Sequence, residues 1–141
     1  MSNIEQLNAA KRDAETERTR GRKMVKQFSA KVVGVTFVPG YPDNLLNLEI
    51  ADSRAQLHGE PLTVVLIRNP TNEYDSNAIE VHVPALGKQG MVGHLTRPIA
   101  ARMAPEMDEG ILWSAEVESV LIDPDHLDRP GISITCKREE A

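Results

Sequence analysis

Residues Ala78 to Val83, AIEVHV, alternate apolar and polar side chains without a break. Successive side chains of an extended chain point to opposite faces, so Ile79, Val81 and Val83 share one face, and Glu80 and His82 the other. A segment with that period is a half-buried strand, with one face on a core and one in water. The same period returns at Trp113, Ala115 and Val117, set against Ser114, Glu116 and Glu118, and again at Ile132, Ile134 and Cys136. After Glu118 the phase moves to Val120 and Ile122, which predicts a bulge that bends the strand. Gly90 to Leu95 reads as another strand, and its glycines point to a bulge or a close backbone approach. Leu62 to Arg68 is almost continuously apolar and reads as a strand buried on both faces. Lys31 to Phe37, apolar and β-branched, reads as the first strand of the folded domain.

Two segments carry the helical period instead. Asn44 to Gln56 predicts a short helix capped by Asp43 or Asn44, with Leu45, Leu46, Leu48 and Ile50 partly buried; His58-Gly59-Glu60-Pro61 ends it. Thr96 is the N-cap of a second helix with Pro98 in its first turn. Its apolar stripe is Ile99, Met103 and Met107, Pro105 bends it, and Gly110 closes it. The sum is a mainly β chain, a small barrel of OB or SH3 type with one or two short helices. The expected organisation is a polar, partly helical or flexible extension over 1–30, the barrel over 31–138 and a short tail over 139–141.

Charge divides the chain in two. The net charge is -5, yet the residues before Val32 hold eight Lys and Arg against four Asp and Glu, a local +4 that leaves -9 for the rest. A basic arm of this kind either neutralises the phosphates of a polyanion or is a solvated tail. The acidic body argues against sequence-independent coating of duplex DNA, which calls for a basic folded surface. No apolar run approaches the roughly 18 residues that span a bilayer. The first residues lack the apolar core of a secretory signal. With Cys136 as the single cysteine there is no disulfide framework, and the expected compartment is reducing and cytoplasmic.

Catalytic signatures are missing. The chain contains no G-x-x-x-x-G-K-[ST], G-x-S-x-G or H-E-x-x-H. His58, His82, His94 and His126 show no ligand spacing. Cys136 alternates with Ile132 and Ile134 as a small buried hydrophobe. Asp123, Asp125 and Asp128 lack the glycine and closing glutamate of a calcium loop. The expectation is a protein without enzymatic activity, metal or cofactor.

One stretch is denser in polar groups than a turn requires: N-P-T-N-E-Y-D-S-N, Asn69 to Asn77. Asn72, Asp75 and Asn77 are able to build a rigid loop by bonding nearby backbone. Tyr74 stands among them in a chain that is only 4% aromatic. A tyrosine at the tip of a preorganised loop is suited to stacking on a flat partner such as a base. A neighbouring carboxylate repels phosphate but accepts a hydrogen bond from a sugar hydroxyl. On residue chemistry alone, turn-making and ligand binding both stand.

The order V-V-G-V-T-F (Val32 to Phe37), I-R-N-P-T-N-E-Y-D-S-N-A-I-E-V, M-V-G-H-L (Met91 to Leu95) and I-A-A-R-M-A-P-E-M-D resembles a HIRAN domain over residues 32 to about 137. The resemblance implies an OB-like β-barrel of a kind found fused to DNA translocases and nucleases, and alone in bacteria and phages. It implies binding of single-stranded DNA at a free 3′ end in a repair or replication context, with a helicase or nuclease supplied in trans. By position, Tyr74 matches a tyrosine that stacks on the terminal base, and Asp75 the carboxylate that recognises the 3′-hydroxyl. Asn72 matches a polar group beside that base, and Phe37 an aromatic of the first strand forming the other stacking wall. His94 and Arg97 match groups that face backbone phosphate. The chain departs from the pattern at Thr36, where DNA-binding members carry a basic residue, at Phe37, which lacks a hydroxyl, and at Glu73, which replaces a proline. The other reading is a protein-interaction module that uses the acidic face or the basic arm.

Overall fold

A computed structural model describes residues 26–39, 41–88, 90–123, 125–126 and 130–139. The basic arm as far as residue 25, Asp128 and residues 140–141 of the tail lie outside the described residues. Six strands are present: β1 (Gln27–Val33), β2 (Thr63–Arg68), β3 (Ile79–His82), β4 (Met91–Leu95), β5 (Trp113–Leu121) and β6 (Gly131–Arg138). Helix α1 (Asp43–Leu57) lies between β1 and β2, and α2 (Arg97–Asp108) between β4 and β5. The strands close into a barrel in the order β1-β4-β3-β2-β5-β6, each neighbouring pair antiparallel. Closure leaves no unpaired edge to template aggregation.

The period-2 pattern explains the core. Ile79, Val81 and Val83 are buried while Glu80 and His82 lie on the outer side, and Ile132, Ile134 and Cys136 face inward from β6. Met103 and Ala104 of α2, with Leu45 and Leu48 of α1, complete the same apolar cluster. Each large aliphatic side chain buried there contributes about 1.5–3 kcal/mol relative to exposure. The bulge predicted in β5 is present: Val117 pairs with Ile134 and Ser119 with Ser133, so Glu118 is the extra residue. The close approach predicted in β4 is present too. A Cβ on Gly93 would stand 2.5 Å from the Val33 carbonyl oxygen and 2.6 Å from Val32 Cγ1, so only a glycine lets β4 lie this close to β1.

Three expectations are corrected. The first strand is not Lys31 to Phe37: β1 begins at Gln27 and stops at Val33. Its early half is hidden in the sequence because Gln27, Ser29 and Lys31 face water while Phe28, Ala30 and Val32 face inward and pair with β6. Gly34, at φ 72°, then turns the chain into a 3-10 turn, Val35–Phe37, a left-handed step that other residues adopt at a cost. Leu62 to Arg68 is not buried on both faces. Val64 is buried, whereas Val65 and Ile67 are 41% and 42% exposed, because a single-layered barrel covers only the inner face.

The third correction concerns the helix ends. Pro42 is the N-cap residue of α1, and neither helix has a side-chain cap, although Thr96 does stand at the cap position of α2. In α1, Leu45 and Leu48 are buried but Leu46 and Ile50 are exposed, since only one stripe of the helix meets the barrel. Both helices end as predicted. Glu60 N–H donates to the Ala55 carbonyl and Ile111 N–H to that of Glu106, both at 3.0 Å, which satisfies carbonyls the last turn would leave open.

Candidate functional site

The loop between β2 and β3 is built from its own polar side chains. Asn72 Oδ1 accepts hydrogen bonds from the backbone N–H of Tyr74 at 2.9 Å and of Asp75 at 3.0 Å. Asp75 Oδ1 accepts from the Asn77 N–H at 2.9 Å, and its carbonyl from the Ala78 N–H at 3.0 Å. Asn69 closes the base, its N–H donating to the Ala78 carbonyl at 2.9 Å. The turn-making reading of Asn72 and Asp75 therefore holds, and Asn77 contributes its backbone N–H. The consequence is a fixed backbone that leaves the Tyr74 side chain 76% exposed. Asp75 Oδ2 has no hydrogen-bond partner among the described residues and stands ready to accept one.

Two arginines fasten this loop to α2. Arg97, at the start of the helix, donates from Nη2 to the Tyr74 carbonyl at 2.7 Å. Arg68, at the end of β2, donates from Nη1 to the carbonyls of Ser76 and Ala78 at 3.1 and 3.0 Å. Its Nε and Nη2 grip the two carboxylate oxygens of Asp108, at the other end of α2, at 3.0 and 3.1 Å. Charge-assisted bidentate pairs fix direction as well as proximity. The Arg68 hydrogen bond holds the Asp108 carboxyl below its ordinary pKa.

The remaining candidates stand on or beside β4. His94 is paired in register with Val33 on one side and Glu80 on the other, so it faces outward from the barrel. Its Nδ1 lies 4.0 Å from the position a Cβ on Gly34 would take, and its buried Nε2 has no partner among the described residues. Glu80 is engaged elsewhere, by His82 Nε2 and Asn69 Nδ2, both at 2.9 Å. Beyond Gly34, Val35 is buried as an anchor, Thr36 is half-buried and Phe37 is 90% exposed. Phe37 is thus on a turn, not on the first strand. The structure brings Asn72, Tyr74, Asp75 and Arg97 together directly, and sets His94 against the turn that carries Thr36 and Phe37. Phe37 and Tyr74 are not in ring contact; the ring pair among the described residues is Phe28–Trp113, 5.5 Å apart.

Sequence reasoning missed Arg68. Its signal was an arginine on the inward beat of β2, paired with buried Ile79, where a charge needs partners. Burial pushes the Cys136 thiol up to about 12, which removes it as a nucleophile. Among the described residues no group of three or more His, Cys, Asp or Glu could hold a metal ion, and no helix is long and apolar enough to cross a membrane.

A closed antiparallel barrel carrying an exposed tyrosine on a polar loop defines a class before it defines a family, and comparison with known proteins supplies the second. The HIRAN domain family model matches residues 25–137. The chain belongs to the HIRAN domain family. The fold is similar to the HIRAN domain of human HLTF, with a TM-score of 0.54 and 22% identity over 79% of this chain and 74% of that one. It is also similar to a protein from Lactobacillus plantarum, with a TM-score of 0.56 and 23% identity over 78% of this chain and 89% of that one. Comparison with curated protein sequences finds no match.

Proposed function

We propose that this chain is a non-catalytic module that binds single-stranded DNA and recognises a free 3′ end. The observation that carries the reading is Tyr74, on a loop held by six hydrogen bonds between its backbone and the side chains of Asn72, Asp75, Arg97 and Arg68, yet left in solvent. An exposed aromatic ring normally gains by burial. A rigid polar loop that keeps one out of the core is preorganised for a partner that covers it. Membership of a family of DNA-binding modules supports nucleic acid as that partner.

Each candidate then has a role. Tyr74 and Phe37 stack on bases, each contact contributing about 1–3 kcal/mol. Asp75 Oδ2 accepts the hydrogen bond of the terminal 3′-hydroxyl, and exposed Glu73 next to Tyr74 adds a second negative charge that disfavours a 3′-phosphate. Asn72 shapes the loop beneath the base. Arg97 spends one donor on the Tyr74 carbonyl and keeps others for phosphate, since its guanidinium has five. His94 offers an imidazole on the same side. Thr36 supplies a hydroxyl in place of a charge. Any catalytic step would come from a separate helicase or nuclease.

The test is fluorescence anisotropy with a short single strand ending in a 3′-hydroxyl or a 3′-phosphate. The hydroxyl end binds more tightly, Asp75→Ala erases the preference, and Tyr74→Ala weakens both. Equal affinity for the two ends in the native protein would remove end recognition. The acidic face favours one second reading. Exposed Glu116 and Glu118 line a cleft of about 380 Å³ beside α1, a surface suited to a basic protein partner; capture of such a partner that survives Tyr74→Ala would select it.

A further inference from the structure

The cleft beside α1 holds a carboxylate where a helix would place an apolar group. Asp52 shares the buried stripe of α1 with Leu45 and Leu48 and is only 7% exposed. It lines the cleft of about 380 Å³ together with Glu60, Glu116 and Glu118. Gln56 Nε2 donates to Asp52 Oδ2 at 2.9 Å, and Oδ1 has no partner among the described residues. Withdrawing a charge from water is costly unless another group pairs with it. The last turn of α1, through Ala55 and Gln56, forms the adjoining wall, and that end of a helix is the negative pole of its dipole. A half-paired buried carboxylate, three exposed ones and a helix C-terminus all favour a cation.

No basic side chain lines this cleft among the described residues. Arg54, in the same turn of α1, opens onto the next cleft with His58 and Pro84. Lys137, on the next outward position of β6 from Thr135, makes no ion pair among the described residues. The chain's own entry supplies a cation source. Ser29, near the start of β1, donates from Oγ to Glu118 Oε1 at 2.5 Å, and Thr135 Oγ1 donates to the same oxygen at 3.3 Å. β1 therefore begins at the rim of the cleft. Upstream of it stands R-T-R-G-R-K, Arg18 to Lys23, four cations in six residues with no acid. Lys23 is six residues from Ser29, about 20 Å of extended chain. Attachment that close makes an encounter intramolecular, at an effective concentration on the order of millimolar.

From the half-paired buried Asp52, and from the point where the chain enters β1, we propose that this cleft is the docking site of the chain's own basic arm. Arg18 to Lys23 lie along Asp52, Glu60, Glu116 and Glu118. An arm neutralised there is withheld from other polyanions, and the basic and acidic parts of the sequence become partners. The inference goes beyond the 3′-end reading and does not depend on it. Pro61, at one end of β2, lines the cleft, and the loop that carries Tyr74 follows the other end of β2, so either site is able to fail without the other.

Paramagnetic relaxation in the full chain tests it, with a nitroxide label on Thr19→Cys. Cys136 is buried, with its thiol pushed up to about 12, and leaves the label to residue 19. The amide signals of Gly59, Glu60, Glu116 and Glu118 are expected to lose most of their intensity, while those of Tyr74 and Asp75 keep theirs. Glu116→Gln combined with Glu118→Gln keeps an acceptor for Ser29 and restores the intensity. So does salt at about 1 M, where the screening length falls to about 3 Å. Glu109→Gln, which removes an exposed acid at the end of α2, leaves the loss in place. The proposal is overturned if the four amides keep full intensity in the labelled chain, or if their loss survives the double variant or the salt. Restoration by Glu109→Gln equal to that of the double variant also overturns it, since only net charge would matter. A mixture of ¹⁵N chain without label and labelled ¹⁴N chain reads the remaining occupant. Loss of signal in the unlabelled chain would place the arm on a second copy and overturn docking in cis.

Discussion

Phe37 and Tyr74 are both aromatic rings left in water, 90% and 76% exposed, and they are held there by different means. The Tyr74 backbone is fixed by polar side chains: Asn72 Oδ1 below it, and Arg97 on its carbonyl. The Phe37 backbone is fixed by conformation: a left-handed Gly34, one turn bond from the Phe37 N–H to the Gly34 carbonyl at 3.0 Å, and the buried Val35 as anchor. The lesson is that a rigid presentation of a ring needs either many hydrogen bonds in a loop or a few strong steric constraints at the end of a strand. The first is tunable by single polar substitutions; the second depends on the barrel.

The largest effect is expected from removing the rings. Tyr74→Ala lowers affinity for single-stranded DNA about tenfold to a hundredfold, in line with about 1–3 kcal/mol per stacked base, with an unchanged melting temperature. Phe37→Ala does the same, and Tyr74→Phe keeps most of the binding. A melting temperature that falls with either alanine would mean that the ring is packed in solution, and the comparison would fail.

The supports come next, and they separate the two mechanisms. Gly34→Ala forces a side chain into a left-handed conformation and costs about 1–2 kcal/mol of stability, read by urea denaturation. Asn72→Ala removes the acceptor of the exposed Tyr74 N–H and the half-buried Asp75 N–H, both at the surface of a loop where water is able to replace it, so stability falls by no more than about 1 kcal/mol. Its DNA affinity falls further than its stability does, because the Tyr74 backbone loses its seat. Equal losses of stability in the two variants would erase the distinction between a polar and a steric support.

The smallest effect is one of pH. The Asp108 carboxyl is held below its ordinary value by Arg68, so its folded pKa is depressed and the native state favours the ionised form. The contribution is present above the ordinary carboxylate range, near pH 4, and is lost as pH falls through the lowered value. Asp108→Asn should remove that part of the acid dependence. The difference in melting temperature between native and variant then narrows as pH is taken from 6 to 3, and a constant difference would show that the Arg68 clamp does not depend on charge.

Some of this was legible because it depends on neighbours in sequence. The alternation at Ile79, Val81 and Val83, the phase change after Glu118 and the Asx-rich loop around Tyr74 are all local patterns, and each reappears in the structure where the residues place it. Other features depend on partners far along the chain. β1 was misplaced because Gln27, Ser29 and Lys31 look like loop until β6 pairs with them. β2 looked buried twice because an apolar run does not say how many layers will cover it. Arg68 was overlooked because its partner Asp108 is 40 residues away.

The sequence by itself determined the period of β3, β5 and β6, the chemistry of the loop and the family, since side-chain alternation and turn-making are properties of a few adjacent residues. Tertiary structure decided that Phe37 leaves the strand, that Arg97 is partly spent on the Tyr74 carbonyl, and that Asp52 of α1 shares a cleft with Glu116 and Glu118 of β5. Those outcomes follow from barrel closure. Which strand lies beside β1, and in what register, is set by burying the whole core at once, and no local pattern carries that information.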